Sequence, residues 1–149
     1  MADRPGNVED MLHRMKKTAD GLGLPFGNLK MLYNSRLAQE LGFWAESKGK
    51  GDAFHMAAFN TNFVAGKNIA HIPVLLEMVH SIDLPREEAR AVLESGAFRE
   101  PVDHDWALSR AKGITAVPTF VLDHRKLVGA QPYEIMEQFM KQNGIKRRH

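Results

Sequence analysis

The sequence predicts an α/β chain that is mostly helical and closes in a ββα unit. Apolar residues recur at the three-to-four spacing of helix faces through residue 112. The character then changes at Val117-Pro118-Thr119-Phe120-Val121-Leu122, which is β-branched and aromatic. No earlier segment has the two-residue alternation of a strand, so about seven helices stand against two strands. At 149 residues the chain can bury a core of its own, and no repeat, linker or low-complexity stretch divides it. A single domain over 1–149 is therefore expected, with a helical part at 8–112 and a ββα part at 113–143.

The elements follow in order. Val8, Met11, Leu12, Met15 and Ala19 share one helical face, and Gly21-Leu22-Gly23 ends that helix. Leu24-Pro25-Phe26-Gly27-Asn28 reads as an extended loop. Asn34 is a suitable N-cap for a second helix with Leu37, Ala38, Leu41, Trp44 and Ala45 on its face. Lys48-Gly49-Lys50-Gly51 breaks it, and Asp52 can cap a third. Phe54, Ala57, Ala58, Phe59 and Phe63 make that third helix apolar nearly all round, which predicts a central position.

Gly66-Lys67-Asn68 is a turn before a fourth helix with Val74, Leu75, Met78, Val79 and Ile82, and Pro73 falls in its first turn. Asp83-Leu84-Pro85-Arg86-Glu87-Glu88 opens a fifth that ends near Ser95-Gly96. A sixth runs from about Val102 to Lys112 and closes at Gly113. Beyond the first strand, Asp123-His124-Arg125-Lys126 reads as a polar turn and Leu127-Val128-Gly129-Ala130 as the second strand of a hairpin. Pro132 opens a last helix with Ile135, Met136, Phe139 and Met140 inward, and the tail Lys146-Arg147-Arg148-His149 is expected to fray.

Composition removes several function classes. Twenty basic residues against eighteen acidic ones leave a net charge of +2, which is not the footprint of a strong nucleic-acid binder. No cysteine is present, which removes disulfides, thiolate nucleophiles, cysteine–zinc sites and Cys-x-x-Cys redox catalysis by this chain. No apolar window is long enough to span a bilayer, and Met1 to Asn7 lacks a basic segment leading into an apolar core, so a cytoplasmic protein without membrane partner is expected.

Gly113-Ile114-Thr115-Ala116-Val117-Pro118-Thr119-Phe120-Val121 followed by Gly129-Ala130-Gln131-Pro132 resembles the C-terminal half of a DsbA-like thioredoxin domain, nearest its FrnE branch. Gly23 to Phe26, Asn34 to Leu41, Phe59 to Gly66 and Leu84 to Leu93 resemble the helical insertion of that branch, so the likeness covers nearly all of residues 10–142. The resemblance implies an incomplete thioredoxin-like (DsbA-like) fold: helical insertion plus C-terminal ββα. An intact member starts with a strand, a Cys-x-x-Cys helix and a second strand, and nothing in this sequence corresponds to that βαβ unit. The lack of cysteine and the shortage of strands then have one origin.

The resemblance further implies that Val117 and Pro118 form a cis-peptide loop whose free backbone groups pair with a bound peptide. An X–Pro bond is cis only about 5% of the time in folded proteins, so the cis expectation rests on the resemblance. No catalytic residue, metal or cofactor is assigned. Without a thiol, a thiol–disulfide oxidoreductase relative is expected to be redox-inactive alone. Two alternatives stay open. One is a non-catalytic module for peptide binding or oligomerisation. The other resembles the 2-hydroxychromene-2-carboxylate isomerases and kappa-class glutathione transferases, whose active serine lies in the same absent region.

Other constellations are weaker. His104 between Asp103 and Asp105 could hold a metal or move protons, but reads better as a solvated helix start. His55, His71 and His80 read as surface or cap residues. The serines lie in no nucleophile elbow, and Gly21-Leu22-Gly23 is no phosphate loop. Trp44, Phe54, Phe59, Phe63 and Trp106 read as core rather than a ligand pocket.

An isolated hairpin is marginal in water. The resemblance places the first family strand beside the strand that follows the proline, so its absence leaves Thr119, Phe120, Val121 and Leu122 as an unpaired edge. The expectation is a homodimer through that edge, or a separate front-half chain that supplies the partner strand.

Overall fold

The computed structural model describes residues 8–146. The residues at Met1–Asn7 and the end of the expected frayed tail, Arg147–His149, lie outside the described residues. Seven α-helices and one hairpin follow in chain order: α1 (Val8–Gly21), α2 (Arg36–Ser47), α3 (Gly51–Phe59), α4 (Ile72–His80), α5 (Arg86–Ser95), α6 (Arg99–Ala111), β1 (Thr119–Leu122), β2 (Arg125–Val128) and α7 (Tyr133–Gln142). A π-helical turn at Asn60–Val64 continues α3. The backbone forms two compact units, Met1–Asp103 and His104–His149, and their division falls inside α6. The composition shift in the sequence falls later, at Gly113.

The first unit is built on a helical core. Ala38, Leu41, Trp44 and Ala45 of α2 pack with Phe54 of α3, Leu75, Leu76, Met78 and Val79 of α4, and Ala89 and Leu93 of α5. Of the predicted faces, Ala38, Leu41, Trp44 and Ala45 of α2 and Leu75, Met78 and Val79 of α4 are buried, Leu37, Val74 and Ile82 are half-buried, and Leu76 is buried although the predicted face omits it. Complete burial of one such aliphatic side chain contributes about 1.5–3 kcal/mol before entropy is charged against it.

Helix ends differ from expectation in detail. The N-cap of α2 is Ser35, not Asn34. The Ser35 hydroxyl accepts from Gln39 Nε2 at 2.8 Å, while Asn34 Oδ1 accepts from the Arg36 N–H at 2.9 Å. The two polar residues thus share the start of the helix. Likewise α3 is capped at Lys50, with Asp52 in its first turn. Helix α6 begins three residues before Val102, because Pro101 falls in a first turn whose N–H groups need no helical partner.

The central position expected for α3 is not observed. Phe54 is buried at 2% exposure, but Met56 and Phe59 are 60% and 58% exposed. Alanines inflate the apolar count of this nine-residue helix, and α2 and α4 cover only one side of it. The aromatic residues turn instead toward a loop. Phe63 stacks on Phe59 at 6.2 Å and meets Phe26 at 5.9 Å between ring centroids. The Gly27 N–H donates to the Phe63 carbonyl at 2.7 Å. A Cβ at Gly27 would overlap the Val64 carbonyl oxygen, so glycine is required by close approach of the two backbones.

The second unit is sparse. Strands β1 and β2 pair antiparallel, with Thr119 opposite Val128, Phe120 opposite Leu127, Val121 opposite Lys126 and Leu122 opposite Arg125. The turn is two residues, Asp123-His124, and not the four-residue turn expected. Asp123 takes a φ of 52°, which aspartate tolerates, and this lets Arg125 and Lys126 join the ladder. Strand β2 accordingly ends at Val128, and Gly129 leaves it at a φ of 89°.

The inward face expected for α7 is also corrected. Ile135 and Met140 are 40% and 38% exposed, Met136 and Phe139 are half-buried, and no residue of the helix is buried. Among the described residues 104–146, none at all is buried. Two strands of four residues offer too little surface to cover an amphipathic helix.

Two changes test this division of labour. Phe54→Ala is expected to cost about 3–5 kcal/mol in urea unfolding, against under about 0.5 kcal/mol for Phe59→Ala. Gly27→Ala should destabilise the first unit although it only adds a methyl group; an unchanged urea midpoint would show that the two backbones are not in close approach.

Candidate functional site

The sequence-assigned residues Val117 and Pro118 lie together in an exposed loop that enters β1. The peptide bond between them is cis, as the resemblance implies. Val117 is 89% exposed. Among the described residues, neither its N–H nor its carbonyl has a hydrogen-bond partner.

The loop is held by its neighbours. Gly129 N–H donates to the Pro118 carbonyl at 2.8 Å, and Thr119 Oγ1 donates to the Ala116 carbonyl at 2.6 Å. Gln131 Nε2 donates to the Val128 carbonyl at 2.8 Å and secures the exit of β2. The Lys126 ammonium donates to the carbonyl oxygens of Lys112 and Gly113, which places a cation at the negative end of α6. Lys126 reads in the sequence as a turn residue. Only the shorter turn, which moves it into β2, brings it to that position.

The edge residues follow from the ladder. Residues flanking a two-residue hairpin turn exchange both backbone bonds, and such pairs alternate along the strand. Leu122 and Phe120 therefore face β2, and the Gly129-to-Pro118 bond keeps the same phase. Thr119 and Val121 direct their N–H and C=O groups away from β2, where no further strand exists among the described residues. The side chains of Phe120 and Val121 are exposed, and those of Thr119 and Leu122 are half-buried.

Charge clusters elsewhere offer no second centre. His104 Nδ1 is 3.8 Å from Asp105 Oδ1, with both side chains exposed. Among the described residues, no three His, Asp or Glu side chains gather as a metal site would require. His71 is the N-cap residue of α4 and His55 lies exposed beside Phe54. Trp44 and Phe54 are core, while Phe63 and Trp106 are half-buried and Phe59 is exposed. No helix among the described residues is long and apolar enough to cross a membrane.

One buried carboxylate escapes the sequence reading. Glu40 is 1% exposed and its Oε1 accepts from Arg36 Nε at 3.1 Å. Arg36 Nη2 donates to Asp103 Oδ1 at 2.7 Å. The hydrogen bond to Asp103, followed by that carboxylate's charge and by Glu40, raises the Arg36 pKa against the opposing effect of desolvation. The guanidinium, which is charged at any working pH, thus lies between the buried Glu40 and the exposed Asp103. An Arg and a Glu four apart are visible in the sequence as a helix pair, but their burial is not.

The sequence profile of the DSBA-like thioredoxin domain matches residues 1–141. This chain belongs to the DSBA-like thioredoxin domain family. Among its relatives is the uncharacterized protein YwbO of Bacillus subtilis (strain 168), 25% identical over 122 residues, which are 79% of this chain and 60% of that protein. A probable DsbA oxidoreductase from Streptomyces coelicolor superposes with a TM-score of 0.76 at 26% identity, covering 94% of this chain and 62% of the other. A 2-hydroxychromene-2-carboxylate isomerase superposes with a TM-score of 0.74 at 18% identity, covering 91% and 66%, a likeness of fold alone. The chain thus spans less than two thirds of the length of each of these proteins. The helices and the ββα unit match the family's fold.

Arg36→Met leaves the Glu40 carboxylate buried without its cation, which is strongly unfavourable. Its thermal midpoint, followed by circular dichroism, is expected to fall further than that of Asp103→Asn, and the double variant Arg36→Met with Glu40→Met should recover part of the loss. Equal losses for the two single variants would show that burial of Glu40 is not what Arg36 offsets.

Proposed function

We propose that this chain is a FrnE-like member of the DsbA family that performs no thiol–disulfide exchange with its own residues and holds extended peptide at the Val117–Pro118 loop. Exchange begins with attack of a thiolate on a disulfide sulfur, and no cysteine is present among the 149 residues. What the chain retains is the exposed loop. An extended peptide can donate to the Val117 carbonyl and accept from the Val117 N–H, two main-chain bonds indifferent to side-chain identity. The free backbone of this exposed cis-proline loop is the observation that carries the reading. Two such bonds contribute only about 0.5–1.5 kcal/mol each, so binding by this loop alone is weak and broad.

Two measurements test it. In insulin reduction with dithiothreitol, the purified chain is expected to give the rate of the protein-free blank; turnover above that blank would refute the redox-inactive reading. In an NMR titration, a capped hexapeptide of alternating valine and threonine should shift the Ala116 and Val117 amide resonances. Resonances that stay fixed at millimolar peptide would remove the peptide-binding reading. Reduced glutathione is the competing ligand: a saturable heat on mixing it with the chain would instead favour the isomerase and kappa-transferase likeness.

A further inference from the structure

We propose that Thr119–Leu122 pairs antiparallel with the same strand of a second copy of this chain, in a register centred on Phe120, to form a four-stranded sheet ordered β2-β1-β1-β2. This inference uses the backbone groups of Thr119 and Val121 rather than those of Val117, and it does not depend on the absence of redox turnover.

The need for a partner is plain in the second unit. No described residue from 104 to 146 is buried, and a two-stranded hairpin is marginal by itself. The two edges of the hairpin are chemically different. The β2 edge carries Arg125 and Lys126, and charged residues of this kind blunt an edge against further pairing. The β1 edge is Thr-Phe-Val-Leu, uncharged and β-prone. A β2-to-β2 contact would set four cations together, whereas a β1-to-β1 contact sets none.

The register follows from the direction of the backbone groups. Thr119 and Val121 point their N–H and C=O away from β2. A two-fold axis at Phe120 places Thr119 opposite Val121 of the second copy and Val121 opposite its Thr119. Each residue exchanges both its bonds, so the outward groups of Thr119 and Val121 are all used. Phe120 then faces its own copy at a closely spaced, non-hydrogen-bonded pair, where aromatic side chains interact best. The arrangement is isologous, as a closed dimer requires.

Net charge does not oppose it. Residues 104–149 hold eight Lys and Arg against four Asp and Glu. In the four-stranded order the two β2 strands are three strand spacings apart, about 14 Å, beyond the Debye length of about 8 Å at physiological salt. Four strand residues alone bury too little for a stable dimer, which needs upwards of about 1,000 Å² in total. The exposed Val128, Ile135 and Met140 of each copy, in the same unit as the strand, offer further apolar surface.

Light scattering on the full chain after size exclusion tests the proposal, with a mass twice that of one chain expected. Val121→Pro removes an outward N–H without touching the β1–β2 ladder, and should halve the mass. Val128→Pro makes the same change on the β2 edge and should leave it doubled. A wild-type monomer overturns the proposal, as does a dimer that survives Val121→Pro. If both variants dissociate, amide exchange of the wild type decides. Thr119 and Val121 amides protected only at dimer-forming concentration support the pairing, and unprotected amides in the dimer overturn it.

Discussion

Surface area governs the C-terminal unit. Two strands of four residues give a ladder that fixes register and turn, but they cannot cover the apolar stripe of a ten-residue helix. Every feature of the unit follows from that shortage: the exposed Ile135 and Met140, the half-buried Phe139, the unpaired outer edge of β1 and the bare Val117 loop. Local polar contacts hold its shape instead. Lys126 ties the hairpin to the end of α6, and Gly129 ties the exit of β2 to Pro118. These bonds define conformation well, yet none of them removes apolar surface from water.

The first unit obeys the opposite rule. Four helices of moderate length enclose Leu41, Leu75, Val79 and Ala89 completely, so local choices there are subordinate to packing. Even its charged residues conform. Glu40 is accepted into the interior because Arg36 sits one turn before it, and Arg36 is itself anchored by Asp103. Gly27 shows the same subordination in a loop, where the residue type is dictated by the carbonyl of Val64 across the gap.

The contrast explains what could be read in advance. The faces of α2 and α4 were legible because their branched and aromatic residues recur at strict helical spacing. The cis loop at Val117–Pro118 was legible through family likeness, since no local property of a Val-Pro pair demands it. The errors arose where composition stood in for geometry. Alanines made α3 look central, and a run of four polar residues concealed a two-residue turn that Asp123 makes possible. The amphipathic pattern of α7 stated which side is apolar without stating that anything covers it.

The sequence by itself determined the mostly helical composition, the single hairpin and the absence of cysteine from these 149 residues, because these depend on residue types and on spacing along the chain. It also determined that β1 would be uncharged, but it left Arg125 and Lys126 in the turn, and only the two-residue turn of the folded hairpin made β2 basic. Only the tertiary structure decided which apolar faces are buried, which backbone groups of β1 point outward, and that Glu40 lies inside. Those outcomes depend on what stands opposite each residue in space, and residues far apart in the chain, such as Gly27 and Val64 or Arg36 and Asp103, are brought together only by the fold.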